Sequence, residues 1–345
     1  MTAPYRRPVL PPTLADVADR AGVSRQTVSN ALNNPALLRP DTLARVQDAI
    51  AELGYTPNRA ARNLRTRSSR LIGLRHPPAH EGTADALMDR FVHSLVDRCR
   101  QSGYHVLLFA GDDADPSVGY EELVNSTAVD AFVVTDTFLG TPQTTWLERQ
   151  RVPFVAFGRP WESPSAKHPW VDVDGAAGGA LAARHLLAVG RQRIAWLGWR
   201  KDSRIGEDRR SGWTAAVREA GLPTTGLAAR VDDTLSSGRE GAAMLLDEAR
   251  PDAILCASDT LAMGALHALA ERGITPGRDV AVVGFDDSQA AQLVPGGLTS
   301  VRLPLEEVAI EVVAALEGLL ARPPMLLPPR LLEPTLRVRG TSAAR

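Results

Sequence analysis

Cysteine and lysine are nearly absent from this 345-residue chain, which has only Cys99, Cys256, Lys167 and Lys201. The two cysteines lie far apart and outside any CxxC or Cys/His cluster. That excludes a disulfide framework, offers no zinc site, and leaves two buried thiols as the expectation. No apolar run approaches the roughly twenty residues a bilayer-spanning helix needs. Arg6 and Arg7 have no apolar stretch behind them, so the chain is expected to stay in the cytoplasm. Enzyme signatures are missing as well: there is no GxSxG, no GxxxxGK[ST], no GxGxxG after a strand and no HExxH. Asp286 and Asp287 are adjacent carboxylates, but neighbours on a strand point to opposite faces, a poor geometry for shared acid–base work. Neither catalysis nor a cofactor nor a metal is expected.

The composition is that of a folded protein, 44% hydrophobic and 23% charged, long enough for two or three units. The net charge of −1 conceals a division. Residues 1–70 hold eleven arginines against Asp16, Asp19, Asp41, Asp48 and Glu52, which is +6 and leaves −7 for the rest. A basic end on an acidic body suggests a polyanionic partner. All but two of the 39 basic residues are arginine, so their crowding is more informative than their identity.

The N-terminal region reads as three short helices. Thr13 caps the first, with Leu14, Val17, Ala18 and Ala21 on one face, and Gly22 ends it. Ser24 caps the second, Arg25 to Leu32, in which Val28, Ala31 and Leu32 share a face while Arg25, Gln26, Ser29 and Asn30 lie elsewhere. A third starts near Pro40 with Leu43, Val46, Ile50 and Leu53 inward and stops at Gly54. The tight turn between the first two makes a helix-turn-helix. Asn58 to Leu64 is helix-compatible and basic, and a polar stretch to Arg70 reads as linker.

From Leu71 short apolar runs alternate with helical stretches, the pattern of parallel α/β layers. Strands are predicted at 71–74, 105–109, 131–135, 154–157, 193–197, 253–257 and 280–285. Helices are predicted at 86–101, 176–189, 210–220, 238–249, 260–272 and 305–320, with a last strand over 331–338. The fold class is therefore a small all-α helix-turn-helix head on an α/β body of two doubly wound parallel-sheet subdomains, with ligands expected at strand C-termini and in the crevice between them.

Residues 13–32, TLADVADRAGVSRQTVSNAL, resemble the DNA-binding head of the LacI-type (lactose/galactose repressor) family. The resemblance continues through GYTPNRAARNL (54–64), RLIGL (70–74), GRQRIAWLG (190–198), RRSGW (209–213), ASDTLAMGAL (257–266) and DVAVVGFDDS (279–288). It implies a head at 1–57, a hinge helix and linker at 58–70, and a periplasmic-binding-protein-like body at 71–345. The body would divide into an N-subdomain (71–169 plus 302–325) and a C-subdomain (170–301 plus 326–345).

By this resemblance Arg25, Gln26 and Asn30 occupy base-reading positions, consistent with Arg pairing to guanine and Gln to adenine in the major groove. Asn30 stands where several members carry arginine. Ser24, Thr27, Ser29, Asn33, Asn58 and Arg59 are expected at phosphates, with plain helix capping the competing reading of Ser24. Asn58 to Leu64 resembles the hinge helix that folds on operator DNA, with Ala61 and Leu64 at the minor groove and Leu64 the wedge that kinks it. A helix of seven residues is too short to be stable alone. For the effector cleft the resemblance implies Arg209, Asp286, Trp170, Arg159, Asp259 and His76, with capping the competing role for both aspartates. Leu303 departs from members with a polar group there.

The tryptophans near predicted strand ends favour a mono- or oligosaccharide effector. Arg75, His76 and Arg159 bring positive or polar character to the mouth, so a charged effector stands as an alternative. The implied protein is a repressor binding a palindromic operator as a homodimer. The absence of a heptad-bearing tail points to a dimer rather than a tetramer, and no membrane partner is expected. The competing reading is a solute-binding receptor or sugar-acting enzyme with an incidental N-terminal domain.

Overall fold

The computed structural model describes residues 12–56, 68–76, 84–111, 115, 117–135, 137, 142–161 and 166–343. The chain divides into two compact units, residues 1–69 and 70–345.

In the first unit, α1 (Leu14–Ala21) starts at a capping box: the Asp16 N–H donates to Thr13 Oγ1 (3.4 Å) and the Thr13 N–H to Asp16 Oδ2 (2.7 Å). Gly22 ends it at φ 63°, the left-handed conformation that a tight turn requires and that glycine adopts without cost. α2 (Arg25–Asn33) and α3 (Pro40–Leu53) complete the trio. Their apolar stripes meet in a core of Val17, Ala18, Ala21, Val28, Val46, Ala49 and Tyr55. Arg20 and Glu52 pair across α1 and α3 on the outside.

The second unit holds two six-stranded sheets. In the first, β1 (Leu71–His76), β2 (His105–Ala110), β3 (Ala131–Val134), β4 (Phe154–Phe157) and β5 (Trp170–Val173) run parallel in the order β2-β1-β3-β4-β5. In the second, β6 (Ile194–Trp199), β7 (Ala228–Val231), β8 (Ala253–Cys256), β9 (Ala281–Phe285) and β10 (Thr299–Arg302) repeat that order as β7-β6-β8-β9-β10. β11 (Arg330–Leu332) adds a parallel edge to the first sheet and β12 (Thr335–Arg337) an antiparallel edge to the second.

Helices α4 (Ala84–Gln101), α5 (Val118–Asn125) and α6 (Pro142–Gln150) belong to the first lobe. α7 (Gly175–Ala188), α8 (Arg204–Glu219), α9 (Leu235–Met244, continued by a π-helical turn to Ala249), α10 (Asp259–Glu271) and α11 (Gln289–Leu293) belong to the second. α12 (Leu305–Leu320) returns to the first lobe and packs on α4 and β4. β3, β8 and β9 are buried along their whole length, because helices cover both faces of a parallel sheet. In each sheet the strand order reverses between the first and third strands, β1/β3 and β6/β8, which places a ligand crevice at their carboxyl ends.

Three expectations need correcting. The division at residue 170 is misplaced: Trp170–Val173 is a strand of the first sheet, paired to β4 through Ala156↔Trp170 and Phe157↔Val171, so the crossover follows Val173. The strand predicted over 331–338 is two strands. Pro334 has no N–H to donate to a ladder, and the chain on either side joins a different sheet, so 330–332 belongs with the first lobe. α8 begins at Arg204 rather than Arg210, because Ser203 caps it by accepting the Gly206 N–H at 3.1 Å.

Both cysteines are buried, and burial pushes the Cys99 thiol up to about 12. Among the described residues no helix is long and apolar enough to cross a membrane, and no cluster of His, Cys, Asp and Glu could hold a metal ion.

Candidate nucleic-acid interface and ligand cleft

α2 presents its polar side outward because Val28 alone on it is fully buried, anchoring the helix to the core of the first unit. Arg25 and Gln26 are exposed on its first turn, beside the positive end of the helix dipole. Gln26 Nε2 donates to Asn30 Oδ1 at 3.0 Å, one turn on. The two amides therefore form a fixed pair that leaves the Gln26 carbonyl oxygen directed away from Asn30. Ser24 Oγ accepts the Thr27 N–H at 3.1 Å and lies 2.9 Å from Thr27 Oγ1, so the capping role competing at Ser24 is present in the structure. Asn33 Nδ2 donates back to the Ser29 carbonyl at 2.6 Å. Asn58, Arg59, Ala61 and Leu64 lie outside the described residues.

The second constellation sits at the carboxyl ends of the second sheet. α8 is brought against α7 by two glycines. A Cβ on Gly212 would fall 1.8 Å from the Ala176 carbonyl oxygen, and one on Gly179 would fall 2.0 Å from that of Arg209. This close approach aims Arg209 inward, where it is only 4% exposed. Its Nη1 donates to the Ala257 carbonyl (2.5 Å) and to Asp286 Oδ1 (3.1 Å). Its guanidinium lies 3.9 Å from the Phe285 ring centroid and 5.0 Å from that of Trp199.

Asp286 ends β9 in a strained backbone, with φ 105° there and 50° at Asp287. Such left-handed conformations at non-glycine residues persist only when the surroundings over-determine them, and they gather at binding sites. The determinants are visible here. The Asp286 N–H donates to the Val301 carbonyl (2.7 Å), Arg339 pairs with Asp287 (2.6 Å), and Arg90 of α4 reaches across from the first lobe to the carbonyls of Asp286 (3.1 Å) and Asp287 (3.2 Å). Burial pushes the Asp286 carboxyl up to about 7 against the pull of Arg209, with Asp259 and Asp233 adding to the rise.

Arg159, just past β4, forms a second node. Its Nε donates to Asp172 of β5 (2.6 Å) and its Nη2 to Asp208 of α8 (3.1 Å), while its guanidinium stacks 4.3 Å from the Trp161 ring centroid. It thereby ties the first sheet to a helix of the second lobe. Burial, with Asp174 and Asp172 nearby, raises the Asp208 carboxyl despite Arg159.

Of the six residues expected in the cleft, Arg209 and Asp286 are paired, and Arg159 reaches the same helix through Asp208, the residue before Arg209. His76 ends β1 at the matching edge of the first sheet and is exposed. Trp170 does not join them. It opens β5, at the opposite end of that sheet, and lines a separate cavity of about 300 Å³ with Glu311 and Arg330. Nor is Asp259 turned to a ligand: it is fully buried and accepts from Ser300 Oγ (2.6 Å) and the Ser288 N–H (2.7 Å), bracing the β9 end from below. Burial lifts its carboxyl to about 6. It is not the cap of α10 either, since Ser258 holds that position. Leu303 is buried.

Sequence reasoning passed over Asp233, whose carboxylate accepts from Ser258 Oγ (2.5 Å), and Asp208 and Arg90, whereas Trp199 was among the tryptophans it placed near strand ends. Asp233 follows β7, which no predicted strand covered, so its place after a strand end carried no signal in the sequence. A larger cavity of about 590 Å³, with Phe154, Lys167 and His168 in its wall, lies at the amino ends of β4 and β5, away from this chemistry. His168 there is already paired with Glu148 at 2.9 Å.

A family model described as bacterial regulatory proteins, lacI family, matches residues 13–58, and one described as periplasmic binding protein-like domain matches residues 183–342. The chain is 33% identical over 314 residues to the HTH-type transcriptional regulator CelR of Thermobifida fusca, covering 88% of this chain and 91% of that protein. Among solved structures it is similar to a transcriptional regulator CelR–cellobiose complex, with 30% identity, a TM-score of 0.70, and 96% and 99% of the two chains covered. It is likewise similar to the lac repressor dimer bound to operator and the anti-inducer ONPF, with 28% identity, a TM-score of 0.83, and 97% and 100% covered.

Proposed function

The chain belongs to the LacI family of bacterial transcription regulators, and from that premise we propose that a saccharide bound around Arg209 and Asp286 governs its affinity for a palindromic operator. The protein is a DNA-binding regulator of transcription and not an enzyme. The observation that carries the saccharide reading is the cleft itself: a buried Arg209–Asp286 pair set on the faces of Phe285 and Trp199. Such a pair offers a guanidinium donor and a carboxylate acceptor for hydroxyls, and the partly exposed Trp199 suits the apolar face of a pyranose. The similarity to a regulator solved with cellobiose supports the same class.

In this reading the protein is a cytoplasmic homodimeric repressor, with a head at 1–57, a hinge at 58–70 and the body beyond. Arg25, Gln26 and Asn30 read base edges, and Ser24, Thr27, Ser29, Asn33, Asn58 and Arg59 position the head on phosphates. Ala61 and Leu64 enter the minor groove when two hinges fold together on DNA, so that movement of the body controls release. Arg209, Asp286 and Arg159 carry the effector response, and His76 flanks them.

The test is a titration of the full chain with a duplex that the protein itself selects from a random pool, at two salt concentrations, with and without mono- and disaccharides. Steep salt dependence, preference over scrambled duplex and a sugar-dependent change in affinity are expected. Equal affinity for scrambled duplex favours the receptor reading and sinks this one.

A further inference from the structure

The cleft holds arginines, and arginines are the usual partners of phosphates and carboxylates, so its preference for charged or neutral ligands is decided by what those arginines already hold. Arg209 is occupied by Asp286 and the Ala257 carbonyl. Arg159 is held between Asp172 and Asp208, with a further bond to the Val173 carbonyl at 3.2 Å. Arg90 has its Nη1 on the Asp286 and Asp287 carbonyls. Against these cations stand Asp172, Asp208, Asp233 and Asp286, with Asp259 immediately behind.

Two neutral donors stand beside these cations. The indole N–H groups of Trp161 and Trp199 are buried and have no hydrogen-bond partner among the described residues. Each lies on a ring stacked with one of the engaged guanidiniums. A buried donor without an acceptor is costly and marks a place where a ligand oxygen completes the bond.

We infer that this cleft admits uncharged sugars and excludes their phosphorylated and carboxylated derivatives, because Arg159 and Arg209 are already paired with aspartates and the buried donors that stand vacant beside them are indoles. An incoming phosphate dianion has to separate a buried Arg–Asp pair and then face the released carboxylate in a site of low dielectric. A hydroxyl needs neither: it donates to an aspartate oxygen and accepts from an indole. The upward shift of Asp286, caused first by burial and then by Asp259 and Asp233, accords with a site already crowded with negative charge.

This inference rests on the saccharide reading above, and the experiment separates the two. Calorimetric titration of the full chain compares glucose and cellobiose with glucose 6-phosphate, gluconate and glucosamine. The neutral sugar that binds is expected to exceed its phosphate or acid by tenfold or more, and that gap is expected to persist as salt is raised from about 50 mM to about 500 mM, since charges buried in the cleft are screened little. Asp208→Asn, which releases part of Arg159, is expected to narrow it. The salt series on the unaltered protein decides the matter if that variant fails to fold. A phosphate or acid binding as well as its neutral parent at low salt overturns the inference and leaves the saccharide reading standing, and so does exclusion of the cationic glucosamine as strong as that of the anions. Binding of none of the five removes both.

Discussion

The two functional regions of this protein are built on opposite principles. The groups expected to read DNA lie within one nine-residue helix, largely exposed, tied to one another only by local bonds such as Gln26 to Asn30. The cleft draws Arg90, Arg159, Arg209, Asp233 and Asp286 from distant parts of the chain and buries most of their charge. Specificity in the first can change without touching the fold, because its side chains carry no packing. In the second, the groups proposed to bind are also the ones that hold the fold together.

Arg209→Ala probes that difference most strongly. Removing one partner of a buried pair leaves Asp286 uncompensated, and about 3–5 kcal/mol of stability is expected to go with it. Chemical denaturation at pH 8, where Asp286 of the unaltered protein is mostly ionised, is the measurement. Saccharide response is expected to vanish together with the stability, and a fully stable variant that merely fails to respond would show that the cleft is as modular as the helix.

Arg25→Ala is the counterpart. It is expected to cost about 1–3 kcal/mol of operator affinity and to relax preference at one base position per half-site. Its melting temperature should stay with that of the unaltered protein, since Arg25 is exposed and packs nothing. Equal weakening on every duplex would mean that Arg25 meets phosphate alone.

The same contrast explains what could be read from the chain. α1 to α3 were legible with their caps, because capping box, Gly22 and apolar spacing are local signals. The apolar strands were legible for the same reason, β3, β4 and β8 among them although each has only four residues. β5, β7 and β10, equally short, were not, because Asp172, Arg230 and the polar residues Thr299, Ser300 and Arg302 interrupt their apolar pattern. The two ends of the predicted 331–338 strand look alike in sequence and differ only in which sheet offers them an edge. Arg209 and Asp286 were found through motifs, whereas Arg90 sits on an ordinary amphipathic helix and only the fold shows where it reaches. Trp170 was misread because a residue at the start of a strand and one at its end are equally close to that strand in sequence and lie at opposite ends of the sheet.

Titration sharpens the comparison at smaller amplitude. The Asp286 carboxyl, raised from 3.8 to about 7 chiefly by burial, binds its proton more tightly in the folded state. Its contribution to stability is therefore complete below pH 3.8 and lost as the pH climbs through 7. In Asp286→Asn that component disappears. The difference in melting temperature between variant and unaltered protein is expected to change progressively over this window in the variant's favour, and a difference curve flat with pH would mean that the carboxyl is not held up by its surroundings.

The smallest effect is expected where the chemistry is closest to that of the cleft. Arg20 and Glu52 also form an arginine–carboxylate pair, with two nitrogen–oxygen contacts joining α1 to α3, yet both side chains are 55% exposed. Water already solvates each charge, salt screens their attraction, and ordering two long side chains opposes the gain. The helices it connects are held by Val17, Ala18, Val46 and Ala49 beneath it. Arg20→Ala is accordingly expected to leave the melting temperature within error at physiological salt and to show a deficit only when salt is lowered. A loss comparable to that of Arg209→Ala would mean that burial is not what separates the two pairs, and that the head depends on its surface charges as the cleft does on its interior ones.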